Sequence, residues 1–316
     1  MAAAGRTVLL VIDPQVDFHE GGSLAVPGAT ADSQRVAALI RECGSEIDEI
    51  YITLDTHTKH HIAHAVVWKD KAGNSPLPFT LISHQDVVDG TWSVRPDAAQ
   101  PWLQKYAEWY TARLEAREYR LIIWPEHCVV GSVGHTVQPD LFAAAQAWSQ
   151  ASRKDTVTVL KGLNPLTEMY SAVAAEVPLD EAAVADIATA IGLAPGSAAS
   201  SGVTADESTT LAGHADLLAA LTGPGVGRLV VCGQALSHCV KSTVLHLLQA
   251  AASPDFASRI VLLRDGASPV AGFEANGEAF VDLVRAGGGR ALSCAELAAE
   301  LALARSQAQA QAQAQA

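Results

Sequence analysis

Short runs of consecutive apolar and β-branched residues alternate along the chain with stretches whose apolar positions recur every three or four residues. The runs Thr7–Ile12 (TVLLVI), Glu49–Leu54 (EIYITL), Thr156–Leu160 (TVTVL), Arg228–Cys232 (RLVVC) and Arg259–Leu263 (RIVLL) read as strands, and Leu121–Trp124 as a shorter extended piece. Ala31–Cys43, Ala143–Ser152, His214–Leu221, Val240–Ala252 and Gly277–Arg285 read as helices. Continuously apolar strands separated by helices predict an α/β fold: a doubly wound, mainly parallel sheet with helices on both faces.

Three stretches do not fit this rhythm. Val66–Tyr119 carries Trp68, Trp92, Trp102 and Trp109. Within it, Gln100–Tyr119 sets Leu103, Tyr106, Tyr110 and Leu114 at helical spacing, which favours a packing helix over a lid or a subunit contact. A second expansion, Val173–Leu211, contains Gly196–Thr210, rich in Ser, Gly, Ala and Thr and read as a surface loop. The tail from Ser306 to Ala316 is a Gln-Ala repeat with no apolar face, so it is expected to fray.

Composition narrows the function classes. Of 316 residues, 49% are hydrophobic and 17% charged, so a large core can be buried. The net charge is −13, against a nucleic-acid partner or an anionic membrane, both of which demand a basic surface. No apolar run approaches the roughly 18–20 residues of a membrane-spanning helix. Met1–Phe18 makes a poor signal peptide and a good first strand. The five cysteines (Cys43, Cys128, Cys232, Cys239, Cys294) contain no CxxC pair. Thiols in a reducing cytoplasm are the expected state.

Polar residues fall at telling places against the strands. Asp13 follows the first strand, Asp55 the second with His57 two residues on, and Lys161 follows TVTVL. Cys239 lies in the turn after RLVVC, at the start of a helix. Loops at the carboxyl ends of doubly wound strands converge on one crevice, so an acid, an Asp/His pair, a lysine and a cysteine are expected at one end of the sheet. A helix N-terminus favours the thiolate of Cys239, Asp13 can carry its proton, and the amides of Ala235 and Cys239 can face a developing oxyanion. Asp55 and His57 suit Zn²⁺, Mn²⁺ or Fe²⁺. Spacing leaves open which of His60, His61 and His64 joins them, and His127 in Trp124-Pro-Glu-His127-Cys128 is a further candidate.

These segments resemble the motifs of nicotinamidases, within the isochorismatase-like cysteine hydrolases. Leu10-Val-Ile-Asp13-Pro-Gln-Val-Asp17-Phe18 is similar to their N-terminal motif, and Asp55-Thr-His57 with His61-Ile-Ala to their metal motif. Trp124-Pro-Glu-His127-Cys128, Lys161-Gly162 with Tyr170-Ser171-Ala172, and Val230-Val-Cys-Gly233 through His238-Cys239-Val240 match the remaining motifs, in the family's order. The resemblance implies a triad of Asp13 (proton shuttle), Lys161 (charge stabilisation) and Cys239 (nucleophile). It implies an oxyanion hole from Ala235 and Cys239, and a cis peptide between Gln234 and Ala235. Asp55, His57, His61 and His127 would hold one divalent ion, zinc before manganese or iron, with Phe18 and Trp124 flanking a pyridine ring. The two expansions and the neutral Ser237, where the family commonly has an acid, depart from the pattern and bear on substrate choice.

The implied activity is hydrolysis of nicotinamide to nicotinate and ammonia through a cysteine thioester, a step of cytoplasmic pyridine-nucleotide salvage. Another small amide or carbamoyl compound is the alternative substrate, and a metal hydrolase in which Cys239 is incidental is the alternative class. The family includes monomers and homo-oligomers. Because the motifs span most of the chain, residues 1–305 are expected to form a single isochorismatase-like domain with insertions at about 66–119 and 173–211, and 306–316 a tail.

Overall fold

The computed structural model describes residues 5–95, 102–192 and 203–315. Part of the loop expected at 196–210 (196–202) and the start of the stretch at 100–119 (100–101) lie outside the described residues. Contacts divide the chain into two compact units, each assembled from separate stretches. One comprises Met1–Leu54, Val133–Leu160 and Asp216–Ala316, the other Asp55–Ser132 and Lys161–Ala215.

The first unit is built on six strands: β1 (Arg6–Ile12), β2 (Glu49–Asp55), β3 (Val157–Lys161), β4 (Val226–Gly233), β5 (Ile260–Leu263) and β6 (Arg290–Leu292). Their order is β6-β5-β4-β1-β2-β3, and β1 pairs in parallel with both β2 and β4, as β5 does with β4 and β6. The chain winds outward from β1 to β3, then returns across β1 to build β4 to β6. This is the doubly wound order, with its switch point between β1 and β4. Alternate residues face opposite sides of a strand. Leu9 and Val11 of β1, Ile50 and Ile52 of β2, and Val230 of β4 form one apolar face. Val36, Leu39 and Ile40 of helix Ala29–Cys43, and Leu141 and Trp148 of helix Pro139–Ser152, pack on it. Val8, Leu10 and Ile12, on the other face, are equally buried. Burial on both faces is why Val8–Ile12 is apolar throughout.

The amino-acid pattern did not announce β6, whose three residues are only half-buried. The tail also differs from expectation. Helix Cys294–Gln315 runs through the Gln-Ala repeat instead of fraying at Ser306. Leu297 and Leu301 anchor its first turns in the core. Ala and Gln then extend an existing helix, with high propensity and no nucleation cost.

In the second unit, two short antiparallel pairs, Trp68–Lys69 with Ser93–Val94 and Leu81–Ile82 with Leu121–Ile122, frame helix Leu103–Glu115. The expected packing role of that helix holds. Tyr106, Tyr110 and Leu114 are buried, the Tyr106 hydroxyl donates to the Leu166 carbonyl (2.5 Å), and the Glu168 N–H donates to the Tyr110 hydroxyl (2.8 Å). The insertion thereby fixes the loop that follows Lys161. Helix Glu181–Ala190, in the second expansion, is tied to it through Asp186, which accepts from Trp109 Nε1 (2.8 Å) and pairs with Arg113. Among the described residues no helix is long and apolar enough to cross a membrane.

Candidate active site

In the first unit, β1 and β4 end side by side, with Ile12 opposite Gly233. Asp13 follows at once, fully buried, with φ of +43°, a conformation costly for a residue with a Cβ. Its N–H donates to Thr53 Oγ1 (3.0 Å), and that hydroxyl donates back to Asp13 Oδ1 (2.5 Å). Thr53, on β2, therefore orients the carboxylate. Across the switch point Gly233 has φ of +110°, and a Cβ there would meet the Ile12 carbonyl oxygen at 2.0 Å, so only glycine lets the chain turn.

The turn itself starts with a cis peptide between Gln234 and Ala235, as the motif implies. Gln234 is clamped through its amide: Nε2 donates to Asp32 Oδ2 (3.0 Å), and Oε1 accepts from the Ser268 N–H (3.4 Å). The Ala235 carbonyl accepts from His238 and Val240 N–H groups (3.0 and 3.2 Å) as the backbone winds through Leu236–Val240 into helix Lys241–Ala250. Cys239 thus sits in the first wound residues of a helix, and is 5% exposed. Ser237, the neutral residue that departs from the motif, accepts through Oγ from the Val270 N–H (3.1 Å). Phe18 closes the turn Val16–Phe18 and is buried.

In the second unit, segment 57–64 lies alongside 124–130. His57 bridges Val129 and His64 bridges Trp124 in parallel, and the Trp124 N–H donates to the Ala63 carbonyl (2.9 Å). This pairing gathers His57, His61, His64 and His127 with Asp55. Among the described residues, Asp55, His57 and His127 form a buried group whose ligand atoms lie within 4.8 Å of one another. Asp55 Oδ2 stands 2.9 Å from His57 Nε2 and 3.4 Å from His127 Nε2. His127 Nδ1 lies 2.8 Å from the Pro125 carbonyl, which leaves Nε2 directed at the Asp55 carboxylate. The donors and spacing therefore fit a divalent ion, for which ligand atoms about 3.3 Å apart are ordinary. Buried His57 Nδ1 has no hydrogen-bond partner.

His61 is near but differently engaged. Its ring is 4.3 Å from that of His57, Nδ1 accepts from the Ala63 N–H (3.3 Å), and Nε2–H faces the Thr167 carbonyl (3.3 Å). Lys161, buried at the end of β3, donates to Asp55 Oδ1 (2.9 Å) and to the Met169 carbonyl (3.0 Å). The next residue, Gly162, has φ of +73°, and a Cβ there would come 2.7 Å from Asp55 Oδ1. Trp124 is buried, edge-on to Phe79 at 5.8 Å, and its Nε1 donates to the Tyr170 hydroxyl (3.2 Å).

Burial alone would raise the Asp55 carboxyl. The charges of His57 and Lys161, with hydrogen bonds from His127 and His57, outweigh it and hold Asp55 well below the usual carboxylate range. Burial likewise works against charge on His57, but Asp55 reverses it and raises His57. Burial lowers His61 strongly and His64 to about 3, so both rings are neutral.

Two acids escaped the sequence reading. Glu168 and Glu176 are buried in the same unit, and burial raises both, Glu176 from 4.5 to about 8. Only their tertiary surroundings make them unusual; along the chain they look like loop acids. Glu176 Oε2 accepts from the Tyr170 N–H (3.0 Å), while Oε1 is buried without a partner. A carboxyl raised on folding keeps its proton in the native state, so its contribution to stability is complete below the unfolded value and disappears as pH rises through the folded one. Between pH 4.5 and 8 the native protein should lose a few kcal/mol from this group. Glu176→Gln should remove most of that slope, gaining stability at pH 8 and little at pH 4.5. Thermal unfolding of both proteins across this range checks it; parallel curves would show that Glu176 is ionised in the native state.

No family model matches the chain. A nicotinamidase of Acinetobacter baylyi is 26% identical over 141 residues, which is 45% of this chain and 47% of that protein, so the match spans about half of the relative. Among solved structures, the Acinetobacter baumanii nicotinamidase/pyrazinamidase aligns with 93% of this chain and 99% of its own (TM-score 0.56, 18% identity). A pyrazinamidase of Pyrococcus horikoshii, in complex with zinc, aligns with 91% of this chain and 99% of its own (TM-score 0.50, 20% identity). The six-stranded doubly wound sheet is shared with these structures over nearly their whole length, so the chain has the fold of these nicotinamidases and pyrazinamidases, the isochorismatase-like fold.

Proposed function

We propose that the protein hydrolyses nicotinamide to nicotinate and ammonia through a thioester on Cys239. The observation that carries this reading is the pair of adjoining strand ends at the switch point, which present a fixed acid, Asp13, and a thiol on a helix-entering turn, Cys239. Asp13 takes the thiol proton and the sulfur attacks the carboxamide carbon. The oxygen gains charge as that carbon becomes tetrahedral, and the N–H groups of Ala235 and Cys239 donate to it. The C–N bond breaks as Asp13 returns the proton to nitrogen, releasing ammonia. Water then attacks the thioester, its proton passes through Asp13 to the sulfur, and nicotinate leaves. In this reading Lys161 stabilises negative charge as the third member of the triad, while Phe18 and Trp124 flank the pyridine ring with apolar faces.

Asp55, His57 and His127 would hold the divalent ion, with His61 assigned to them by the motif. When bound, the ion supplies a Lewis-acidic anchor for the pyridine nitrogen. Zinc is our first choice, in keeping with the imidazole-carboxylate donors and with the zinc complex of the Pyrococcus horikoshii neighbour. Cytoplasmic salvage of nicotinamide for pyridine nucleotides is the setting we assign, supported by five cysteines of which none is in a disulfide.

Ammonia release from nicotinamide, pyrazinamide and a few aliphatic amides tests the reading. Nicotinamide and pyrazinamide should be turned over, aliphatic amides poorly, and prolonged dialysis against a chelator should raise KM for the pyridine amides. Turnover confined to aliphatic amides or carbamoyl compounds would replace the substrate assignment.

A further inference from the structure

One buried imidazole has no role in the chemistry above. His64 is fully buried in the second unit. Its Nδ1 lies 3.1 Å from the Lys59 carbonyl, a contact that calls for an Nδ1–H, so the neutral ring carries its lone pair on Nε2. That Nε2 is buried and has no hydrogen-bond partner. Leaving such a group unsatisfied is costly, and a ring held by one nitrogen with the other bare is the usual form of a metal-binding histidine.

The ring spacing agrees. Imidazoles bound through nitrogen to one tetrahedral ion, with metal–nitrogen bonds of 2.0–2.1 Å, have ring centres about 5 Å apart. His64 is 5.4 Å from His57 and 5.7 Å from His127, and those two are 4.8 Å apart. The ring centres are thus spaced as in one centre, while the His64 nitrogens stand outside the group formed by the Asp55, His57 and His127 donors, so the His64 ring has to shift to reach a shared ion. His61 offers less, because Ala63 N–H occupies its Nδ1 and Thr167 O faces its Nε2.

We propose that His64, rather than His61, is the fourth donor to the metal centre of Asp55, His57 and His127, its Nε2 closing on the ion as the site fills. The proposal rests on the reading that this trio binds a divalent ion. It gives the centre three imidazoles and one carboxylate, and leaves His61 as a structural histidine that ties segment 61–63 to the loop after Lys161.

The test uses the full chain, stripped of metal and titrated with Co²⁺ alone, with affinity read by chelator competition and geometry by the visible absorption of bound Co²⁺. His64→Phe keeps a ring-sized apolar group in the space, and His64→Gln serves if the first variant does not fold. Either should weaken Co²⁺ binding by roughly 10–100-fold or more, the range that loss of even an outer hydrogen-bond partner produces, and should change the absorption. His61→Gln should leave the spectrum as in wild type. If His64 variants keep wild-type affinity and spectrum while Asp55→Ala loses both, the centre stands and His64 is not its ligand. If Asp55→Ala also binds Co²⁺ like wild type, the centre itself is misplaced and the assignment of His64 falls with it. Amide hydrolysis, measured separately, tests the substrate reading independently of both.

Discussion

Cys239→Ala should lower the rate of nicotinamide hydrolysis by about 10⁴-fold or more, because removing the nucleophile of a covalent hydrolase leaves only binding and oxyanion stabilisation. Metal content should be unchanged, since Cys239 is not among the gathered donors Asp55, His57 and His127. That combination separates a thioester mechanism from a metal hydrolase in which the cysteine is incidental; activity within a few-fold of wild type would rule out the thioester. Three of the remaining cysteines offer poor substitutes. Burial raises the thiols of Cys43, Cys232 and Cys294, and the first two are directed at the Ala298 and Leu10 carbonyls (each 3.9 Å). Iodoacetamide at neutral pH should therefore modify wild type at Cys239 first, and the same treatment of Cys239→Ala should show that early adduct missing.

Much of this was legible in the chain because the relevant signals are local. Val8–Ile12 and Leu229–Cys232 are apolar at every position because both faces of the sheet are covered, and an amino-acid run can show that. The residues that follow them, Asp13 and the turn to Cys239, inherit their placement from the strands. By contrast, β6 contributes three half-buried residues to a sheet edge, too little apolar contrast to read. The division into two units was also hidden. The second unit begins at Asp55 and resumes at Lys161, and no change of composition marks those points.

The histidine cluster lies within the second unit. Spacing puts His61 and His64 on an equal footing. They are distinguished by which ring nitrogen meets a backbone group, and the partners come from Lys59, Ala63 and Thr167. Thr167 is more than a hundred residues away in sequence, and its position depends on Tyr106 and Tyr110 holding the loop 166–168. The insertion at 66–119 thus acts on the candidate site through the backbone it fixes, a connection no motif records.

Asp55→Ala should be the most damaging single change to the second unit. One carboxylate oxygen takes Lys161 at 2.9 Å and the other faces His57 and His127, all of them buried. A buried lysine that loses its carboxylate partner keeps the cost of desolvation without the compensating attraction, and such losses amount to about 3–5 kcal/mol. The variant should unfold at a lower denaturant midpoint with an unchanged slope, since the surface exposed on unfolding is the same. Metal linkage would add to the difference, because an ion bound only by the native state stabilises it. Measuring both proteins in excess chelator removes that contribution. If the deficit persists there, the ion pair is its source; if the midpoints coincide, the Lys161–Asp55 pair contributes nothing to stability and Asp55 is held in place for the metal alone.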